Sequence, residues 1–161
     1  MFNTLKQCGP DETQRQIYYL SSTPVDAIAD LLRCGQYTLK KGVVSDMQQL
    51  GSLKTEFGQI GSLIPSQSNG EHKFLVSEVV PLLRANRGVP DGGLLRKIEA
   101  IMEKETKHEI EYNITVFVWN GEYIVKDGNK RTIAFFENRR NMDDNEVHYE
   151  VYVVVPTQRN A

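Results

Sequence analysis

The chain has 161 residues, of which 40% are hydrophobic and 25% charged, and its formal net charge is -2. That balance suits one compact domain, or one domain with an appended lobe, and excludes wholesale disorder. Without a basic excess, a dedicated duplex-binding surface is not expected, because such surfaces work by neutralising phosphates and releasing counterions.

Cys8 and Cys34 are the only cysteines and have no metal-ligand spacing, so reduced thiols in a cytoplasmic protein are the simplest expectation. The start, Met1 to Lys6, has neither the basic stretch nor the apolar run of a signal peptide. No segment approaches the roughly 20 apolar residues of a membrane helix. His72, His108 and His148 are scattered, and no metal site is expected.

In chain order, Gln16 to Leu20 reads as a short strand. A helix starts after Thr23, with Thr23 as N-cap and Pro24 at its first position. Val25, Ile28, Ala29 and Leu32 form its apolar stripe, and Gly35 is its stop. Val43 to Ile60 carries Met47, Leu50, Leu53 and Phe57 at helical spacing and reads as a second helix. The polar turn formers from Ile64 to Gly70 mark a boundary. Residues 1–70 are thus expected to make a mainly helical N-terminal lobe, and residues 71–161 a second unit.

That unit opens with Phe74 to Val76, read as a strand running into Val79 to Leu83. Asp91 caps a helix whose apolar positions, Leu94, Leu95, Ile98, Ile101 and Met102, share one face. Ile114 to Trp119 is apolar on both faces, as in a strand covered on both sides, which makes Trp119 a core residue. Asn120-Gly121 predicts a type I′ turn, because both central residues need positive φ, with Glu122 to Val125 as the returning strand. A helix follows from Ile133 to Arg139-Arg140, where cations sit well at the negative helix end. Val147 to Val155 then alternates as a final strand before Pro156.

Between the hairpin and that helix stands Lys126-Asp127-Gly128-Asn129-Lys130-Arg131-Thr132. A glycine between strand and helix lets the backbone turn sharply and brings N–H groups close to a ligand. The first N–H groups of a helix lack internal partners and carry partial positive charge, which suits phosphate or carboxylate. Lys130 and Arg131 add full charges, and Arg131 can grip two oxygens at once. Thr132 adds a hydroxyl. The plainer alternative makes Asp127 an N-cap, Gly128 a turn residue, and both cations solvated.

The string Asp127-Gly128-Asn129-Lys130-Arg131-Thr132 resembles the motif of Fic and Doc proteins. In that motif a histidine four positions before the aspartate is the base for transfer of a nucleotide group. Tyr123 stands at that position, Val125 replaces the motif's phenylalanine, and the lead-in is β-patterned rather than helical. Only a degenerate Fic-type nucleotidyl transferase would fit.

The order of elements over residues 73–157 resembles the ParB/sulfiredoxin-like superfamily: strand, arginine-bearing turn, helix, two strands, a Gly-x-x-Arg loop, helix and strand. The resemblance implies an α+β fold, a small mixed β-sheet with packed helices, and a loop that cradles nucleotide phosphates. Members include sulfiredoxins, CTP-dependent partition clamps, a free-serine kinase and nucleases. Carried to this chain, it implies phosphate contacts from Gly128, Asn129, Lys130, Arg131 and Thr132, with Arg84 or Arg87 facing the same phosphates.

Asn129 before Lys130 leaves no sulfiredoxin-type cysteine. Only Thr157 to Ala161 follow the last strand, which leaves no room for the helix-turn-helix of a full partition protein.

The expectation is a protein that binds a nucleotide or phosphorylated small molecule, as a phosphotransferase or nucleotide hydrolase. Asp127 and Arg131 are its candidate catalytic residues, and Mg2+ with ATP, ADP or CTP its candidate cofactors. A non-enzymatic module that docks a protein partner on the same fold is the alternative. A ParB-like nuclease or DNA-binding protein would instead need a basic groove through Lys126, Lys130, Arg131, Arg139 and Arg140. Nucleic acid is therefore a less favoured partner, and no membrane partner is expected.

Overall fold

The computed structural model describes residues 2, 4–64, 73–107, 113–141 and 146–158. The boundary read at residues 64–70 lies outside them apart from Ile64, as do His72 and His108. In chain order the elements are β1 (Leu5–Gln7), α1 (Pro10–Ser21), α2 (Asp26–Arg33), β2 (Tyr37–Asp46), α3 (Met47–Gly51) and α4 (Val76–Ala85). They continue as α5 (Leu94–Thr106), β3 (Thr115–Trp119), β4 (Glu122–Asp127), α6 (Asn129–Asn141) and β5 (Glu146–Pro156). The fold is α+β, with one mixed sheet of order β1-β2-β5-β3-β4.

β5 lies at the centre of that sheet, antiparallel to β2 and parallel to β3. Its alternation sorts the two layers, as the period-two geometry of a strand requires. Tyr149, Val151 and Val153 face a core built with α4, α5 and α6, whereas Val154 faces a smaller core built with α1 and α2. The sheet runs across the division expected near residue 70, since β2 pairs with β5 from Tyr37↔Pro156 to Asp46↔Glu146.

Three segments differ from expectation. Gln16 to Leu20 is helical, within α1. Pro10 opens that helix, Asp11 and Glu12 complement its positive end, and Gln16, Ile17 and Leu20 are buried on one face. Val43 to Ile60 is mostly not a helix. β2 extends to Asp46, and Asp46 Oδ1 then accepts from Gln49 N at 2.7 Å to cap the five-residue α3.

The chain leaves α3 extended. Lys54 N donates to Tyr123 O at 2.9 Å, and Val125 N donates to Lys54 O at 2.8 Å. This segment thereby covers the outer edge of β4.

Phe74 to Leu83 is the third difference, since from Val76 onward it forms α4. Glu78 Oε1 accepts from Leu75 N at 2.9 Å and caps the helix. Pro81 within α4 has no N–H for the carbonyl of Ser77. Arg140 of α6 supplies the missing donor, at 3.0 Å.

The remaining elements follow the sequence. Asn120 and Gly121 have φ of 50° and 75°, as a type I′ turn requires. Asp91 serves α5, accepting from Gly93 N at 2.8 Å and Leu95 N at 3.2 Å. Val116 and Phe117 of β3 are buried on opposite faces, but Trp119 is 53% exposed rather than core.

α6 is buried continuously from Thr132 to Asn138. Asn138 Nδ2 donates to Met102 O at 3.0 Å and to the Glu105 carboxylate, which also holds Arg139 at 2.7 Å. Glu137 is 2% exposed, and its Oε1 has an ion-pair contact with Arg140 at 3.3 Å but no hydrogen bond. Burial raises its pKa, against the opposing charges of Arg140 and Arg84.

A raised carboxyl pKa contributes stability that is complete below the unfolded value and is lost as pH rises through the folded one. Stability relative to Glu137→Gln should therefore fall as pH rises from about 4 towards neutrality. Urea midpoints across that range measure it, and a constant difference would contradict it.

Candidate functional site

The junction between β4 and α6 is set by Gly128. Its φ is +88°, and a Cβ there would lie 2.2 Å from Ile114 Cδ1, so both backbone and space demand glycine. The first helical bond runs from Thr132 N to Gly128 O at 2.9 Å. The N–H groups of Asn129, Lys130 and Arg131 therefore have no partner within the helix. No acidic residue occupies the first turn of α6.

Residues 126–131 form one wall of a cleft of about 430 Å³. Pro24, Val25, Phe57 and Ile101 form the other. A smaller hollow of about 240 Å³ adjoins it, sharing Phe57 and Lys130 and adding Asp91 and Lys97.

The loop side chains divide into those already engaged and those left open. Asn129 Oδ1 accepts from Glu56 N at 3.0 Å, tying the covering segment of β4 to the start of α6. Thr132 is fully buried; its hydroxyl donates to Gly128 O at 2.9 Å and lies 3.1 Å from the Tyr149 hydroxyl. Its hydroxyl is thus committed to the protein interior, contrary to the expectation that it serves a ligand. Lys126 is bound to Glu56 at 2.6 Å.

Asp127 Oδ2 accepts from the Tyr19 hydroxyl at 2.8 Å. Burial first, then the hydrogen bond and charge of Asp127, raise the Tyr19 pKa, while Arg131 acts in the opposite direction. Lys130 and Arg131 carry the unpaired charges of the loop: among the described residues neither is within ion-pair distance of a carboxylate, although Arg131 also acts on the Tyr19 hydroxyl.

Arg84 and Arg87 are not brought to this cleft. Both are exposed, and Arg84 acts on Glu137, eight residues along α6 from Asn129 and so about 12 Å away along the axis. α4 forms where a strand was expected; Arg84 in its last turn faces Glu137 of α6, and Arg87 lies beyond the end of α4. The nuclease groove is not assembled either. Arg139 and Arg140 lie at the opposite end of α6 from Lys130 and Arg131 and are bound to Glu105 and Glu137.

The opposing wall comes instead from Pro24, Val25, Phe57 and Ile101, with Tyr19 of α1 meeting Asp127, and none of these was singled out as functional from sequence. Pro10 with Asp11 and Glu12 marked α1 as a helix, the one sequence signal that would have moved Tyr19 out of a strand. Nothing local to Phe57 places it beside residue 130.

No known protein family, curated protein or solved structure matches this chain.

Gly128→Ala should destabilise the protein by more than about 1 kcal/mol, because the left-handed backbone is costly for alanine and the Ile114 contact is added. In an Ile114→Ala background, which removes the Cδ1 contact, Gly128→Ala should still lower stability in urea, since the backbone cost persists. No loss from Gly128→Ala in that background would show that φ at Gly128 is not a constraint.

Proposed function

We propose that the cleft at the start of α6 binds the phosphates of a nucleotide or phosphorylated small molecule. The observation that carries this reading is the placement of Lys130 and Arg131. Cations in the first turn oppose the helix dipole, and carboxylates are the stabilising choice there. Two unpaired cations beside free helix N–H groups are unfavourable for the empty protein and favourable for an anion. Asn129 and Gly128 hold the loop backbone, and Arg131 has the forked geometry that suits two phosphate oxygens.

The resemblance to the ParB/sulfiredoxin-like superfamily agrees with this reading, since its Gly-x-x-Arg loop has the same strand-to-helix setting as β4 and α6. Fic-type transfer is disfavoured by the same setting, because β4 precedes the motif and Tyr123 occupies the histidine position. Asp127 is the only carboxylate among the cleft-lining residues. In a phosphotransferase or hydrolase it would orient an attacking hydroxyl or a magnesium-bound water, and Arg131 would offset developing phosphate charge.

Thermal unfolding with ADP, ATP and CTP, with and without magnesium, tests the proposal. A ligand at ~100 times its Kd should add about 2.7 kcal/mol of stability. Arg131→Gln and Lys130→Gln should lose that gain, yet without ligand be as stable as the native protein or up to about 1 kcal/mol more stable. No shift with any nucleotide, or an equal shift in the Arg131 variant, refutes it.

A further inference from the structure

A carboxylate and a guanidinium that border one cleft ordinarily pair, often through two hydrogen bonds. Asp127 and Arg131 both line this cleft, and no ion pair joins them. The carboxylate is met instead by the phenol of Tyr19. It donates to Asp127 Oδ2 at 2.8 Å, and Arg131 acts on the same hydroxyl. A phenol can do both, since its O–H donates while its oxygen still accepts.

Tyr19 is held in place by polar contacts one turn earlier on α1. Gln16, only 3% exposed, donates to Asn113 Oδ1 at 2.9 Å and Thr115 Oγ1 at 3.0 Å, and Asn113 Nδ2 returns a bond at 3.0 Å. Thr115 is the strand partner of Asp127. The donor and the carboxylate it meets are thus both fixed to the start of β3. A buried amide locked at both ends sets orientation more strictly than apolar packing does.

We propose that Tyr19 is a positioning residue of the anion site: it holds the Asp127 carboxylate off Arg131 and so keeps the guanidinium open to a ligand. This deepens, and rests on, the phosphate-binding reading above. It also assigns the α1–α2 unit a role in the site, since that unit supplies Tyr19 together with the cleft wall at Pro24 and Val25.

The test is a pair of double-mutant cycles. In the first, calorimetry measures binding of pyrophosphate and of ATP with magnesium. Tyr19→Phe should weaken binding about tenfold in the native background, because Asp127 then pairs with Arg131. In an Asp127→Asn background the same change should have little effect, since the amide offers Arg131 no charge. An equal loss in both backgrounds, as a merely structural role would give, overturns the proposal, and so does no loss in either.

The second cycle needs no ligand. Asp127→Asn and Arg131→Gln should be coupled more strongly in their effects on urea stability in the Tyr19→Phe background than in the native protein, because a direct ion pair replaces a contact through the phenol. Coupling that does not increase in the Tyr19→Phe background overturns the positioning role. If the native protein binds neither pyrophosphate nor ATP, the phosphate reading fails, while this second cycle still decides whether Tyr19 separates the two charges.

Discussion

The structure is organised around one helix with almost no solvent face. α6 is buried from Thr132 to Asn138, so it must satisfy the sheet on one side and α4 and α5 on the others. A helix in that position cannot be adjusted locally. Its entry is fixed by Gly128 against Ile114, and its exit by Arg139 on Glu105 and Arg140 on the Ser77 carbonyl. The loop at its N-terminus inherits that rigidity, which is what a binding site built from backbone N–H groups requires.

Burying this helix also forces its polar residues to find partners. Asn138 finds them at α5, and Thr132 closes on Gly128 and Tyr149. Glu137 is the exception, left with an ion-pair contact and a carboxyl driven towards its neutral form. The cationic residues follow the opposite pattern. Those at the C-terminal end, where the dipole favours them, are also paired, while Lys130 and Arg131, where the dipole opposes them, are not. Stability explains the first pair and leaves the second unexplained, which is the ground for proposing an anion site there.

The cleft is shared between distant parts of the chain. Tyr19 meets Asp127 across 108 positions, and Glu56 meets Asn129 across 73. The first 64 residues therefore do more than decorate a second unit. They contribute β1 and β2 to the sheet, cover the edge of β4, and bring an aromatic and a phenol to the loop. Their contribution was hard to read because α1 carries Ile17-Tyr18-Tyr19-Leu20, a β-favouring run inside a helix whose capping signals lie seven residues earlier.

Local rules were enough where one interaction range decided the outcome. The Asn120-Gly121 turn, the alternating β5, the amphipathic α5 and the strand–glycine–helix form of residues 122–141 were all legible, because φ preference and hydrophobic period act over a few residues. Tertiary structure decided the rest. Helical spacing from Val43 to Phe57 yielded to pairing with β5 and β4, since a strand that completes a sheet satisfies backbone groups a marginal helix would leave exposed. From Val76 onward the segment became α4 despite its valines and Pro81, because Glu78 capped it and Arg140 took up the freed carbonyl. The sequence by itself determined the loop and its charges; only the fold decided that Thr132 turns inward, that Arg84 and Arg87 stay away, and that Tyr19 stands beside Asp127.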